Sequence, residues 1–116
     1  MTLAGMTSLT IQSALRGLDA RRQAHEANVA NVETPGYKAR SVEFEAELKA
    51  ALTHPRLVTR VTPNVNVSGE AGRANGNNVN IDQEMVSLTE TALTQELLIR
   101  ALNDRYGLLR TAAGNG

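Results

Sequence analysis

The chain has 116 residues, enough for one compact domain or a simple helical pair and too few for two conventional cores. Twelve Lys and Arg balance twelve Asp and Glu, so no net field attracts a nucleic-acid backbone or an anionic membrane surface. The absence of Cys removes disulfides, thiolate nucleophiles and the common structural zinc sets, and the few aromatics (Tyr37, Phe44, Tyr106) leave any core to Leu, Ile, Val, Met and Ala, which suits helix seams better than a deep ligand pocket.

The first positive side chain is Arg16, so the N-terminus lacks the basic region of a secretory signal. No stretch approaches the roughly 18 to 20 apolar residues that span a bilayer, and a soluble chain is expected. From about residue 8 to 33, Ile11, Leu15, Leu18, Arg22, His25, Val29 and Val32 alternate at spacings of four and three, a heptad seam interrupted by Arg22 and His25. Ala14, Ala20, Ala24, Ala27 and Ala30 add helix propensity and let another backbone approach. Thr34-Pro35-Gly36-Tyr37 ends the helix, because the residue before proline is pushed out of the helical region and Pro then Gly suits the centre of a type II turn.

Between Arg40 and Leu57, Phe44, Leu48 and Leu52 at spacing four predict a short amphipathic helix that His54-Pro55 would end. Val58, Val61, Val65 and Val67 suggest short strand-like pieces, limited by Pro63. Residues 61–80 hold six Asn, three Gly and one Pro, with Glu70 and Arg73 as the only charges. Such a stretch reads as a flexible loop, lacking the apolar content that offsets ordering entropy. Residues 81–112 form the clearest pattern: Ile81, Met85, Leu88, Ala92, Gln95, Ile99, Leu102, Tyr106 and Leu109 again alternate by four and three. Such a helix would be roughly 48 Å long. Asn80 can cap its first amides, Asp82 and Glu84 favour the positive end of its dipole, and Gly114 marks its end. Gly107, inside the pattern, costs about 1 kcal/mol relative to Ala and softens the last turns.

The expected fold is mainly α: a single domain over 1–116 whose two long terminal helices form a helical pair or coiled-coil-like bundle, joined by a largely irregular central segment. Chemistry would need a nucleophile, a base and a charge holder. His25 lies on the first seam, where a polar residue sets register between packed helices, and His54 sits in a surface turn. There is no HExxH, no phosphate-binding Gly loop and no Gly-x-Ser-x-Gly elbow. The sequence asks for no catalytic residue, cofactor or metal.

The run Ala27-Asn28-Val29-Ala30-Asn31-Val32-Glu33-Thr34-Pro35-Gly36-Tyr37 is more specific. Asn28 and Asn31 fall on one helix face just before the turn and can donate to orphan carbonyls at the helix end or across to a neighbour. At Ala27, Asn28, Ala30, Asn31, Thr34, Gly36 and Tyr37 the run resembles the N-terminal signature of the flagellar rod, hook and hook-associated axial proteins. Downstream, Lys38-Ala39-Arg40 with Val42 and Phe44, then Thr53-His54-Pro55, then Asn75 through Met85 resemble the proximal rod branch in order and spacing. The paired Asn77 and Asn78 set the chain apart from FlgC-like rod proteins.

The resemblance implies a proximal rod subunit of the bacterial flagellar basal body, exported through the flagellar type III apparatus without a cleavable signal and polymerising in the periplasm to transmit torque. Its implied neighbours are further copies of itself, FlgC-like rod proteins, the adaptor FliE, and the export gate or membrane ring at the rod base. The alternative is a cytoplasmic helical-hairpin adaptor or chaperone that pairs its own seams.

Overall fold

The computed structural model describes residues 3–114. Helix α1, Leu3–Ala30, and helix α3, Ile81–Gly114, run antiparallel, with His25 of α1 beside Glu84 of α3 and Gln12 bonded to Tyr106 nearer the other end. Between them lie strand β1 (Arg40–Glu43), helix α2 (Glu45–Ala51), a 3-10 helix (Pro55–Arg60) and strand β2 (Asn64–Val67). The fold is thus mainly α, with two long terminal helices joined by a shorter mixed segment. At 1.5 Å per residue α3 is about 51 Å long, which accounts for most of the 66 Å long axis of a molecule 26 by 14 Å across.

The helix starts and stops follow local chemistry. Asn80 Oδ1 accepts from the amides of Asp82 and Gln83 at 3.1 and 3.2 Å, the side-chain cap expected at the start of α3. Helix α1 begins at Leu3, before the expected residue 8, and its regular bonding stops at Ala30, short of residue 33. The amides of Val32 and Thr34 instead bond three residues back, to Val29 and Asn31, tightening the end before Pro35. Val32, assigned to the helix seam from the sequence, therefore lies in a turn. Tyr37 N–H donates to Thr34 O at 3.2 Å and Gly36 has φ +75°, as the expected type II turn requires.

The expected short helix forms as α2, over Glu45–Ala51, with Phe44 and Leu52 flanking it as its caps. Val42 and Phe44, two residues apart, are both buried, as an extended segment allows and a helix does not. Phe44 precedes α2 at φ −152° and ψ −15°, while Leu52 follows α2 and stays exposed. Val58, read as strand-like, lies in the 3-10 helix and is fully buried. Val65 and Val67 do form a strand, β2, pairing antiparallel with β1 in the register Arg40↔Val67 and Val42↔Val65.

The apolar centre is small: Leu18, Val42 and Phe44, flanked by Ala14, Ala24, Leu48, Val61 and Leu98. Phe44 packs on α1 at Gly17, where an added Cβ would lie 2.5 Å from Phe44 Cδ1. The Arg21 guanidinium sits 4.9 Å from the Phe44 ring centroid and donates to Val42 O at 3.1 and 2.7 Å. It also pairs with Glu45 at 2.5 Å and holds that carboxyl down at about 2. One arginine thus ties α1 to β1 and to the first turn of α2.

Contact between α1 and α3 is polar for a helix pair. Ser8, Ser13, Glu84 and Thr91 are buried, and His25 Nδ1 lies 2.6 Å from Glu84 Oε2 with both side chains about nine-tenths covered. Among the seam residues of α3, Leu88 and Leu102 are half-buried, whereas Ile81, Met85, Ile99, Tyr106 and Leu109 remain 40–52% exposed. The face turned to α1 keeps Leu88, Gln95 and Leu102 of that seam and adds Glu84, Thr91 and Leu98 from one flank of it, so the contact is rotated part of a turn from the seam's centre. On α1, Leu18 is buried and Ile11, Leu15 and Val29 are half-buried.

Candidate functional site

The sequence-selected Asn, Gly and turn residues meet where α1 ends, β1 begins and α3 starts. Asn28, on the last turn of α1 and fully buried, uses its amide as a surrogate strand: Nδ2 donates to Arg40 O at 2.8 Å and Oδ1 accepts from Arg40 N–H at 2.9 Å. Asn31 turns back on its own helix, donating to Ala27 O at 2.8 Å, and its Oδ1 accepts from the Thr34 hydroxyl at 3.1 Å. Asn28 thereby answers backbone groups that the strand edge would otherwise leave unpaired, while Asn31 adds a second donor to Ala27 O, which also accepts from Asn31 N–H at 3.0 Å.

Asn77, also fully buried, closes the junction from the other side of the chain. Its Nδ2 donates to Asn31 O and Thr34 O, each at 2.8 Å, and its Oδ1 accepts from Val79 N–H at 2.8 Å. One side chain therefore bridges the end of α1 to the approach of α3. Asn78 does the same for the strand: Oδ1 accepts from Ala39 N–H at 2.6 Å, Nδ2 donates to Glu70 O at 3.1 Å, and its own N–H donates to Tyr37 O at 3.2 Å. Gly36 N–H donates to Asn75 O at 2.9 Å, and Gly76, with φ +83°, packs back to back with Gly36. A Cβ at Gly76 would stand 3.4 Å from Gly36 Cα, so the two loops approach on bare backbone.

The structure thus brings together Asn28, Asn31, Thr34, Gly36, Tyr37, Asn77 and Asn78 of the sequence-selected set; Pro35 stays at the exposed tip of the turn. Three further contributors escaped sequence reasoning. Arg73 donates to Val79 O at 2.8 Å and to Val32 O, spanning the same gap as Asn77. Lys38 donates through Nζ to Gly76 O at 2.6 Å, and Gly17 admits Phe44. Arg73 had one signal: it is the only cation among residues 61–80. Gly17 had another, a glycine kept inside a helix despite its propensity cost.

The junction is built from side-chain amides, backbone, the Arg73 guanidinium, the Lys38 ammonium and the Thr34 hydroxyl, each hydrogen-bonded in place. Among the described residues no group of three His, Cys, Asp or Glu side chains could hold a metal ion. A groove of about 510 Å³ lies beside the junction between α1, α2 and α3, lined by Leu18, Arg21, His25, Phe44 and Thr91 among others. Among the described residues no helix is long and apolar enough to cross a membrane.

The chain is 30% identical to the flagellar basal body rod protein FlgB of Bacillus subtilis (strain 168), over 100% of its own length and 99% of that protein. The chain belongs to the FlgB family of flagellar basal body rod proteins. It is also 28% identical to the FlgB of Escherichia coli (strain K12), covering 79% of this chain and 81% of that one. With the FlgB of Borrelia hermsii it shares 32% identity over 69% of this chain and 75% of that one. No family model matches the chain. In this FlgB-family chain the asparagine junction sets how the two terminal helices leave the central segment, and so how their outer faces are presented.

Proposed function

We propose that the chain is a structural subunit of the proximal rod, non-enzymatic, that polymerises through its terminal helices and transmits torque. The observation that carries this reading is the outer face of α3. Met85, Val86, Leu93, Leu97, Ile99 and Leu108 are 48–71% exposed although α1 runs alongside. Apolar surface of this extent, spread over the half of α3 turned away from α1, is left over after the chain has paired its own helices, so burying it takes a neighbouring subunit. Contacts between unlike faces propagate into helical assemblies instead of closing as dimers. A cytoplasmic hairpin adaptor explains the α1–α3 pairing but leaves this surface without a role.

In the rod reading the neighbours are further copies, FlgC-like rod proteins, the adaptor FliE, and the export gate or ring at the rod base. The subunit reaches the periplasm through the flagellar export apparatus without a cleavable signal. The junction residues Asn28, Asn31, Thr34, Pro35, Gly36, Tyr37, Asn77 and Asn78 serve assembly by holding the helices at a set angle. The test is deletion of the gene in its own bacterium, scored for swimming and for basal-body structure by cryo-tomography. Non-motile cells with a membrane ring and no rod, restored by a plasmid copy, are expected. Normal swimming with complete basal bodies would refute the reading.

A further inference from the structure

The two-stranded sheet has one edge sealed and one open. Along β1 three of the four outward backbone groups of Arg40 and Val42 are taken by α1: Arg40 N–H and C=O by Asn28, and Val42 C=O by Arg21. Because Arg40 N–H has a single hydrogen and gives it to Asn28, the pair Arg40↔Val67 is a non-hydrogen-bonded one. Alternation then makes Val42↔Val65 non-bonded as well, in agreement with the bond from Ser68 N–H to Ala39 O at 2.8 Å one step beyond. On β2 it follows that Asn64 and Asn66 face β1, while the N–H and C=O of Val65 and Val67 point away from the sheet. All four residues of β2 are exposed, Val65 at 60% and Val67 at 62%.

We propose that this edge pairs with β2 of a second copy, antiparallel about a two-fold axis through Asn66. In that register Val65 meets Val67 of the other copy and Val67 meets Val65. The four outward groups of each strand then become a ladder of four mutual hydrogen bonds. Asn66 meets Asn66 in the narrow pair, with Cβ atoms about 4.5 to 5.5 Å apart, where two amides can bond each other. Both valines of each strand stand on one face, so four exposed valines become neighbours.

The flanks also suit a second copy. Open edges are normally blunted by charge or proline within the strand, and Asn64-Val65-Asn66-Val67 carries neither. The nearest acid on the flank, Glu70, falls opposite Thr62 of the other copy, so no like charges meet. Pro63, which lacks an N–H, stops the ladder from extending further. A four-residue edge buries far less than the roughly 1,200 to 2,000 Å² of a stable interface. The pairing is therefore weak and belongs to concentrated or locally crowded chains. It stands independently of the rod reading, since it uses no residue of that helix surface.

The test is amide hydrogen exchange by NMR on the full chain between about 10 μM and 1 mM, with sedimentation velocity on the same samples. The amides of Val65 and Val67 are expected to gain protection with concentration, about tenfold at the upper end, while those of Asn64 and Asn66, already bonded to β1, change little. Val65→Pro removes two of the four bonds by symmetry and is expected to weaken association about tenfold or more. Val67→Lys keeps every N–H but charges the edge, and is expected to act likewise with the helix signal of the parent in circular dichroism. Three results would overturn the proposal: unprotected Val65 and Val67 amides at 1 mM, concentration-dependent protection on α3 alone, or undiminished association of both variants.

Discussion

Replacing Asn77 by Ala tests whether the junction is held by side-chain amides. The substitution removes three hydrogen bonds from a fully buried position, but their losses are unequal. The carbonyls of Asn31 and Thr34 each keep another donor, the amides of Thr34 and Tyr37, so each loses a second bond and is not orphaned. Val79 N–H has Asn77 Oδ1 as its acceptor and would be stranded in a buried residue. An orphaned buried donor costs about 1–3 kcal/mol and each further lost bond about 0.5–1.5 kcal/mol. Since these terms are not additive, we expect about 2–4 kcal/mol, a large part of the roughly 5–15 kcal/mol that holds a domain together. Urea unfolding followed by circular dichroism at 222 nm should show a lower midpoint with an unchanged slope, and the melting temperature should fall by about 8–15 °C. Asn77→Asp keeps the acceptor for Val79 but sets a carboxylate against two carbonyls, and should lose at least as much at pH 7. Asn66→Ala, on an exposed strand position, should stay within about 0.5 kcal/mol. If Asn77→Ala unfolded within 0.5 kcal/mol of the parent, the account of the junction would be wrong.

The two glycines inside long helices should respond in opposite directions. Gly17→Val drives a side chain into Phe44 and should destabilise by about 1–3 kcal/mol, whereas Gly107→Ala, with open space around its Cβ, should stabilise by about 1 kcal/mol in the same urea titration. Glu45 has a folded pKa of about 2, below its ordinary 4.5, so its pairing with Arg21 adds stability above pH 4.5 that is lost as pH falls from 4.5 through 2. Glu45 is largely exposed, so the effect is small; Glu45→Gln should remove that share of the midpoint's acid dependence. Gly36→Val places a branched side chain at φ +75°, and should disturb rod assembly in cells more than solubility of the purified chain. Met85→Glu, at a position 52% exposed, should leave the melting temperature within a few degrees and abolish swimming in the complementation assay.

Much of the architecture was legible because it is written in periodicity and local chemistry. The alternation of four and three marked both long helices, Asn80 marked the start of α3, and Thr34-Pro35-Gly36-Tyr37 marked the turn, each through interactions within a few residues. The cluster Asn28, Asn31, Asn77 and Asn78 was legible as a set, but not its wiring. That Asn77 serves the carbonyls of Asn31 and Thr34, more than forty residues away, depends on how the loop folds back. Residues 61–80 looked too poor in apolar groups to order. Their order comes from amide and guanidinium bonds to backbone, which composition does not register.

What the sequence determined by itself was two amphipathic helices, the Asn80 cap of α3 and the turn between helix and centre, since these follow from spacing and backbone preference. Only the tertiary structure decided which face of α3 meets α1. Leu88, Gln95 and Leu102 of the predicted seam do face α1, and which flank of them joins the contact was selected by partners that sequence order hides: Glu84 against His25, and Leu98 against the cluster of Leu18 and Phe44. The other flank, with Ile81, Met85 and Ile99, was left 40–52% exposed, because one antiparallel helix covers only one side of its partner.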